Sequence, residues 1–266
     1  LVVCVFDITD RLQHMFFRYL DADHPANRDK DTTEYKDALF DMYRKMDVLV
    51  GETMKYVDDK TALFVLSDHG FKTFKRGVNL NTWLVQEGFM TLKEGAGEGE
   101  YLSSVDWDKT QAYCIGLGGI YINIKGRERR GIVDPADVDA VKKKIIAGLT
   151  GLKDANGAVA MRRMIDVANT FTGPYRFDGP ELIPGFAEGY RDSWDCARGK
   201  ITPDVIEDNT KSWSGDHCMD PEIMSGVLFT NLKLQEENPR LMDMGPTALE
   251  LFGVDVPRFM IGKSIV

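Results

Sequence analysis

The chain reads as an α/β protein: a mostly parallel central sheet flanked by helices, with a smaller α+β subdomain inserted into it. Three observations predict this. Residues 2–6 and 62–66 are apolar runs rich in valine, leucine and phenylalanine, the composition of buried strands. Between them Tyr35, Leu39, Met42, Met46, Leu49, Met54 and Val57 recur three to five positions apart, which predicts a long amphipathic helix over residues 33–58. A strand, helix, strand connection is almost always right-handed with its strands parallel. The C-terminal ends of the two strands then place Asp10 and Asp68 on one rim of the sheet, where α/β proteins bind ligands.

The elements follow in order. After the first run comes Asp7 to His14, then a polar loop over residues 21–31, with Asp31 and Glu34 resembling a capping box. The strand over residues 61–67 closes the unit. Residues 79–90 read as a helix around Leu80, Trp83, Leu84 and Val85, stopped by Gly88, and residues 93–100 as a Gly/Glu-rich surface loop. Residues 112–115 and 120–124 alternate as strands about Gly116-Leu117-Gly118-Gly119. That turn lacks the Lys-Ser or Rossmann spacing of a phosphate loop and reads as plain turn chemistry. A helix is expected over 135–149, a short buried strand over 227–230, and a helix over 242–252 ending at Gly253. Residues 173–200 mix Pro, Gly and aromatics without a clear period. The expected organisation is a core of residues 1–74 and 205–266, with 75–204 inserted.

A formal charge of -9 argues against duplex nucleic acid as a partner, since backbone binding needs excess Lys and Arg. An acidic protein can still bind a small phosphorylated molecule if a metal supplies local positive charge. No apolar run nears the roughly 18 residues of a membrane span, and the start lacks a signal-peptide pattern. A soluble, cytoplasmic protein without a membrane partner is expected. Because the chain opens at Leu1 inside an apolar run, it is expected to be a piece of a longer protein. Cys4, Cys114, Cys196 and Cys218 have no metal-finger spacing and read as reduced structural thiols.

Three of the four histidines sit beside an aspartate at ligand spacing: Asp10 with His14, Asp68 with His69, and His217 after Asp216. Alone, the Asp10 and His14 pair reads equally well as a solvated carboxylate and a surface histidine. Asp68-His69 is sharper, because it ends a strand and Gly70 lets the chain turn without a side chain over the site. Cys218 beside His217 is an alternative ligand or nucleophile. His24, in a polar loop, reads as a surface residue, and the arginines at 127, 129, 130, 162, 163 and 176 as mainly solvated.

Taken in order, Asp10-Arg11-Leu12-Gln13-His14, Ser67-Asp68-His69-Gly70-Phe71, Gly215-Asp216-His217 and the closing 242–249 stretch resemble the alkaline phosphatase superfamily. Within it the chain is similar to the type I phosphodiesterase/nucleotide pyrophosphatase branch, in particular its predicted phosphohydrolase/phosphomutase group. Leu80-Asn81-Thr82-Trp83-Leu84, Gly119-Ile120-Tyr121-Ile122-Asn123 and Trp213-Ser214-Gly215-Asp216-His217 carry that closer likeness.

The resemblance implies an alkaline phosphatase-like fold and two divalent metal ions. Asp10, His14 and His217 match the ligands of one ion, Asp68 and His69 those of the second. The second ion also takes an Asp and a nucleophilic Thr or Ser that the family places before the stretch matching Val2, so the N-terminal part of the same protein is an expected partner. Asp7, Thr9 and Ser67 are weaker substitutes for that nucleophile. The implied reaction is hydrolysis or transfer of a phosphoester through a covalent phospho- or nucleotidyl-enzyme. The inserted region is expected to set substrate choice. Zinc suits the histidine-rich set, manganese being the other possibility. A sulfatase-like hydrolase and a non-catalytic metal-binding module are the alternative readings.

Overall fold

The structure, a computed structural model, describes residues 1–96 and 99–266; Gly97 and Glu98, inside the loop expected over 93–100, lie outside the described residues. In chain order the first elements are α1 (Ile8–Phe16), α2 (Ala38–Met54), β1 (Phe64–Leu66), β2 (Lys72–Val78), α3 (Leu80–Gln86), β3 (Ala112–Ile115) and β4 (Gly119–Ile122). Then come α4 (Val138–Leu149), β5 (Met161–Asp166), α5 (Val167–Thr170), β6 (Leu182–Phe186), β7 (Gly189–Asp192) and α6 (Trp194–Ala197). β8 (Ile206–Asp208), β9 (Gly215–Asp216), β10 (Leu228–Thr230) and α7 (Met244–Leu251) complete the chain. It folds into two compact units, one of Leu1–Asp41 with Phe71–Met224 and one of Met42–Gly70 with Ser225–Val266.

The class is mixed α/β as expected, but a mostly parallel central sheet is not evident. Among the described residues β2–β7 is the one parallel strand pair; β2 also pairs antiparallel with β8 and, at its other end, with β9. A second sheet, β3-β4-β6-β5, is antiparallel throughout. The physical reason lies in the connections. Parallel neighbours need a crossover of a dozen residues or more, whereas β3 and β4 are joined by a tight turn that folds them into a hairpin. Gly116 (φ +75°) and Gly118 (φ +95°) supply the left-handed geometry of that turn, as plain turn chemistry requires.

Residues 2–6 are a second departure. They hold no regular structure and face solvent, Val2 and Val5 being 87% and 86% exposed. An apolar run becomes a strand only when a neighbour takes its backbone hydrogen bonds, and none of the described residues pairs with it. The common rim expected for Asp10 and Asp68 therefore has no first strand to define it. Instead, Asp10 is carried on α1.

The helices follow the sequence more closely. α2 is shorter than residues 33–58 because Thr33–Tyr35 forms a 3-10 turn, whose Thr33 N–H donates to Asp31 Oδ1 at 2.9 Å. Asn79 caps α3 by accepting from Thr82 N–H at 3.1 Å, and Gly88 (φ +76°) stops it. In the first unit α3 and α4 pack with the β3-β4-β6-β5 sheet around Leu80, Leu84, Ile120, Ile122, Ile145, Leu149, Leu182 and Phe186. Side chains of this size stabilise by roughly 1.5–3 kcal/mol each when fully buried, so the unit's apolar centre lies here.

In the second unit β1 pairs antiparallel with β10. Asn231 clamps this short ribbon, its Oδ1 accepting from Leu63 N–H at 2.9 Å and its Nδ2 donating to Thr61 O at 2.8 Å. β10 forms where a strand was expected, but it is not buried: Phe229 is 65% exposed. Buried Asp243 accepts the N–H groups of Arg240 and Lys263 at 2.8 and 3.0 Å, fastening the C-terminal segment to the start of α7.

Arg76 on β2 forms a polar knot in the first unit. Its Nε and Nη2 donate to the two oxygens of Asp154 at 2.9 and 3.0 Å, and Nη1 pairs with Asp208 on β8. Burial raises the Asp154 carboxyl, but Arg76, the Ala155 N–H and the Tyr190 hydroxyl together hold it below its ordinary value of 3.8. A depressed carboxylate stabilises the fold above its unfolded value, and that contribution is lost as pH falls through the folded value. Asp154→Asn is expected to cost about 2–3 kcal/mol near neutral pH. The gap from the parent should shrink as pH drops below 3.8. Urea unfolding at both ends of that range checks it, and a gap independent of pH would refute the ionic origin.

Candidate metal centre

Asp10 and His14 stand one turn apart on α1, at the i, i+4 spacing that stacks side chains on one helical face. Their helix ends against β9. Ser214 N–H donates to His14 O at 2.7 Å, and the Ser214 hydroxyl accepts from Arg18 N–H at 3.1 Å. The approach is close enough to demand glycine at 215, where a Cβ would lie 2.6 Å from Phe17 Cβ and 2.8 Å from the Gln13 carbonyl oxygen.

That contact brings His217 to Asp10. Asp10 Oδ1 lies 3.4 Å from His14 Nε2 and 3.6 Å from His217 Nε2, so two imidazoles from segments 200 residues apart address one carboxylate oxygen. Nδ1 of His14 is 2.8 Å from the Gly215 carbonyl. A carbonyl only accepts, so Nδ1 carries the proton and the Nε2 lone pair faces Asp10. Trp213 stacks on the His14 ring with centroids 3.7 Å apart, and Phe71 meets it edge-on at 4.7 Å. These contacts fix the ring in place.

Asp216 anchors the backbone that carries the other imidazole. Its Oδ1 accepts the N–H groups of His217 and Cys218 at 2.8 and 2.9 Å, and its Oδ2 accepts from the Trp213 indole at 2.8 Å. The same Oδ2 pairs with Arg191 Nε at 2.7 Å, both side chains being almost wholly buried. Burial pushes the Asp216 carboxyl up, but Arg191, the Cys218 N–H and the indole outweigh it and keep the group ionised. Arg191 is itself sandwiched over Phe74 and Trp194. Asp216 therefore orients His217 and has no oxygen left over for another task.

Asp68 and His69 occupy the second unit just after β1. His69 Nε2 is 3.6 Å from Asp68 Oδ1, and its Nδ1 lies 2.8 Å from the Gly70 carbonyl, again leaving Nε2 as the lone-pair nitrogen. Both imidazole arrangements show the outer hydrogen bond that metal-binding histidines normally keep.

One carboxylate oxygen with an imidazole nitrogen on either side is the kind of donor chemistry a divalent ion takes. Tetrahedral zinc with bonds of about 2.1 Å holds its ligand atoms about 3.4 Å apart, close to the spacings around Asp10 Oδ1. Burial, then the Asp216 charge, pushes the Cys218 thiol up to about 12. His24, expected at the surface, is buried; Nε2 meets the Phe74 carbonyl at 2.7 Å and Nδ1 accepts from Ala26 N–H. Its partner lies fifty residues downstream, out of reach of a local reading. Arg191 and Gly215 were likewise missed as supports, although Trp213 and Gly215 belong to the motif around His217. The arginines expected to be solvated are engaged by carboxylates: Arg127 with half-buried Glu181, Arg130 with exposed Asp108, and Arg163 with exposed Glu222 and with buried Asp220 at 2.9 Å.

With this geometry in view, the sequence model of the type I phosphodiesterase / nucleotide pyrophosphatase family matches residues 1–213. The chain belongs to that family. Membership places it in the alkaline phosphatase superfamily, among phosphoester hydrolases of the phosphodiesterase and pyrophosphatase type, a group that typically uses divalent metals. Asp10, His14, Asp68 and His69 fall within the matched stretch, and His217 just beyond it. A comparison with curated proteins gives no match.

Because this phosphodiesterase-family chain depends on glycine to seat β9 against α1, Gly215→Ala is expected to destabilise it by about 1–3 kcal/mol. If the histidines hold a divalent ion, its affinity, read with zinc, should weaken at least tenfold as His14 and His217 separate. Thermal unfolding and calorimetric zinc titration check both; parental values in each would show that the close approach is dispensable.

Proposed function

We propose that Asp10, His14 and His217 hold one divalent ion, zinc by preference over manganese, and that Asp68 and His69 contribute to a second. The chain is then the metal-binding part of a cytoplasmic phosphodiesterase or phosphatase that hydrolyses or transfers the phosphoryl group of a small substrate. The observation that carries this reading is the convergence of two imidazole nitrogens on one oxygen of Asp10. Family membership supports the same chemistry.

When bound, such an ion supplies positive charge to the oxygens of an in-line displacement at phosphorus. The protein's own residues do the positioning. His14 presents Nε2 because Gly215 holds its other nitrogen, and His217 is steadied through Asp216 by Arg191. With a formal charge of -9, the chain attracts a phosphate only where cations are concentrated, which favours a small ligand over a nucleic-acid backbone. No helix among the described residues is long and apolar enough to cross a membrane.

A nucleophile within the chain finds little support. The Thr9 hydroxyl donates to Phe6 O at 3.0 Å, Ser67 Oγ accepts from Val227 N–H at 2.9 Å, and Asp7 pairs with Arg11 at 2.8 Å. Each has a local structural task. We therefore assign the nucleophile to a Thr or Ser in a segment preceding Leu1, along with the remaining ligand of the second ion. Residues 75–204, which contain the antiparallel β3-β4-β6-β5 sheet, are the region we assign to substrate choice.

The 266 residues alone are expected to bind zinc yet show no turnover of bis-p-nitrophenyl phosphate, while an N-terminally extended chain turns it over and loses activity to a chelator. His14→Ala in the extended chain is expected to lower kcat/KM by about 100-fold or more, with matching loss of bound metal. Turnover by the short chain that survives His14→Ala would sink the proposal.

A further inference from the structure

A second group of ligand-type side chains lies in the first unit, unused by the centre above. Cys114 on β3, Asp192 at the end of β7 and Cys196 on α6 are all buried, and their sulfur and carboxylate oxygen atoms lie within 4.8 Å of one another. Asp192 is 1% exposed, and among the described residues neither of its carboxylate oxygens meets a nitrogen or oxygen donor. A buried carboxyl in that state calls for an explanation. We propose that Cys114, Cys196 and Asp192 form a separate site for a thiophilic divalent cation such as zinc.

The donor chemistry suits that ion. Two thiolates and a carboxylate form a mixed soft and hard set, with one position left for water. Tetrahedral zinc with bonds of about 2.3 Å to sulfur and about 2.0 Å to oxygen separates two sulfurs by about 3.8 Å and a sulfur from an oxygen by about 3.5 Å, so donors within 4.8 Å of one another need to contract by about 1.3 Å at most to close on it. The surroundings hold the donors in place. Buried Asn81 donates to Cys196 Sγ at 3.6 Å and to the Cys114 carbonyl at 2.9 Å, while its Oδ1 accepts Cys114 N–H at 2.8 Å. An amide donor on a ligating sulfur is a recurrent outer contact of metal sites. Ser193 caps α6 by accepting Cys196 N–H at 3.0 Å, setting Cys196 one turn from Asp192.

Burial dominates the protonation of all three groups, pushing Cys114 up and Asp192 and Cys196 well above their ordinary values. Burial thus favours the protonated form of each group in the absence of a cation. Uptake of zinc with all three donors ionised releases three protons for one doubly charged ion, leaves one net negative charge at the site, and gives the isolated carboxyl a partner.

The site is tested by cobalt titration of the full chain carrying Cys4→Ser and Cys218→Ser, so that Cys114 and Cys196 are the thiols present. A sulfur-to-cobalt charge-transfer band in the near ultraviolet is expected to saturate at one equivalent; the Asp and His centre cannot produce it. Adding Cys114→Ser or Cys196→Ser should abolish the band, and Asp192→Asn should weaken cobalt binding at least tenfold. Cobalt uptake with no sulfur band overturns the proposal. So does a Cys114–Cys196 disulfide seen by mass spectrometry whose reduction fails to restore the band. Should the serine variants not fold, X-ray absorption of the zinc-loaded double variant decides: sulfur at about 2.3 Å upholds the site, and only lighter neighbours refute it.

Discussion

The buried pair of Arg191 and Asp216 is the interaction on which the candidate centre depends. Taking both charges out of water is expensive, and an ion pair in such a place seldom adds net stability over apolar side chains of the same size. What it provides is position. Arg191 holds one oxygen of Asp216 while the backbone of His217 and Cys218 hangs from the other, so the two-residue strand β9 is located by charge as much as by its ladder with β2. Trp213 joins the two histidines through one side chain, its indole N–H bound to Asp216 and its face against His14. Removing either ion would leave the other buried and unpaired, and the support of both imidazoles would go with it.

How much of this was legible in the sequence varies with the range of the forces involved. Asp10 and His14 were readable as a pair because a helix stacks positions four apart, and helices α3, α4 and α7 were readable from periodicity with Gly88 and Gly253 as stops. The β3–β4 hairpin was readable because glycine punctuates it. Residues 2–6 misled because strand composition records a tendency to pair, and pairing is decided by a partner. His24 misled because polar neighbours in sequence say nothing of the Phe74 carbonyl that accepts its Nε2–H. Arg191 carried no local signal at all: an arginine on a short strand looks the same whether its carboxylate is water-exposed or sealed behind Trp194. The convergence on Asp10 was foreshadowed by family resemblance, since no local rule links position 10 to position 217.

The acidity of the chain bears on the chemistry in a specific way. A surface with net negative charge repels phosphates at long range, and that repulsion fades over about 8 Å at physiological salt. A centre of neutral imidazoles and a single shared carboxylate lets a divalent ion keep most of its charge, whereas a carboxylate-rich centre would cancel it. Because Asp216 is a buried anchor paired with Arg191, its negative charge is already offset and would not be offered to an ion bound at Asp10. The distribution of aspartates between ligand and anchor thus sets how strongly the site could draw a phosphoester.

Strand β2 ties these features together and also keeps them apart. Lys72 and Thr73 pair with Asp216 and Gly215, whereas Gly77 and Val78 pair with Arg191 and Asp192. At about 3.3 Å per residue, the ends of this strand are separated by roughly 20 Å. Arg191 reaches back along it to Asp216, while the next residue, Asp192, points to the thiols of Cys114 and Cys196. Side chains alternate between the faces of a strand, so neighbours at 191 and 192 necessarily serve different surroundings. A slip of one residue would turn every side chain of β7 to the other face, bringing either Asp192 to the place of Arg191 or Arg191 to the place of Asp192; the pairing of β7 with β2 is therefore under constraint from both sites at once, and Arg191 Nη1 donating to the Asp192 carbonyl at 2.8 Å ties the two positions together.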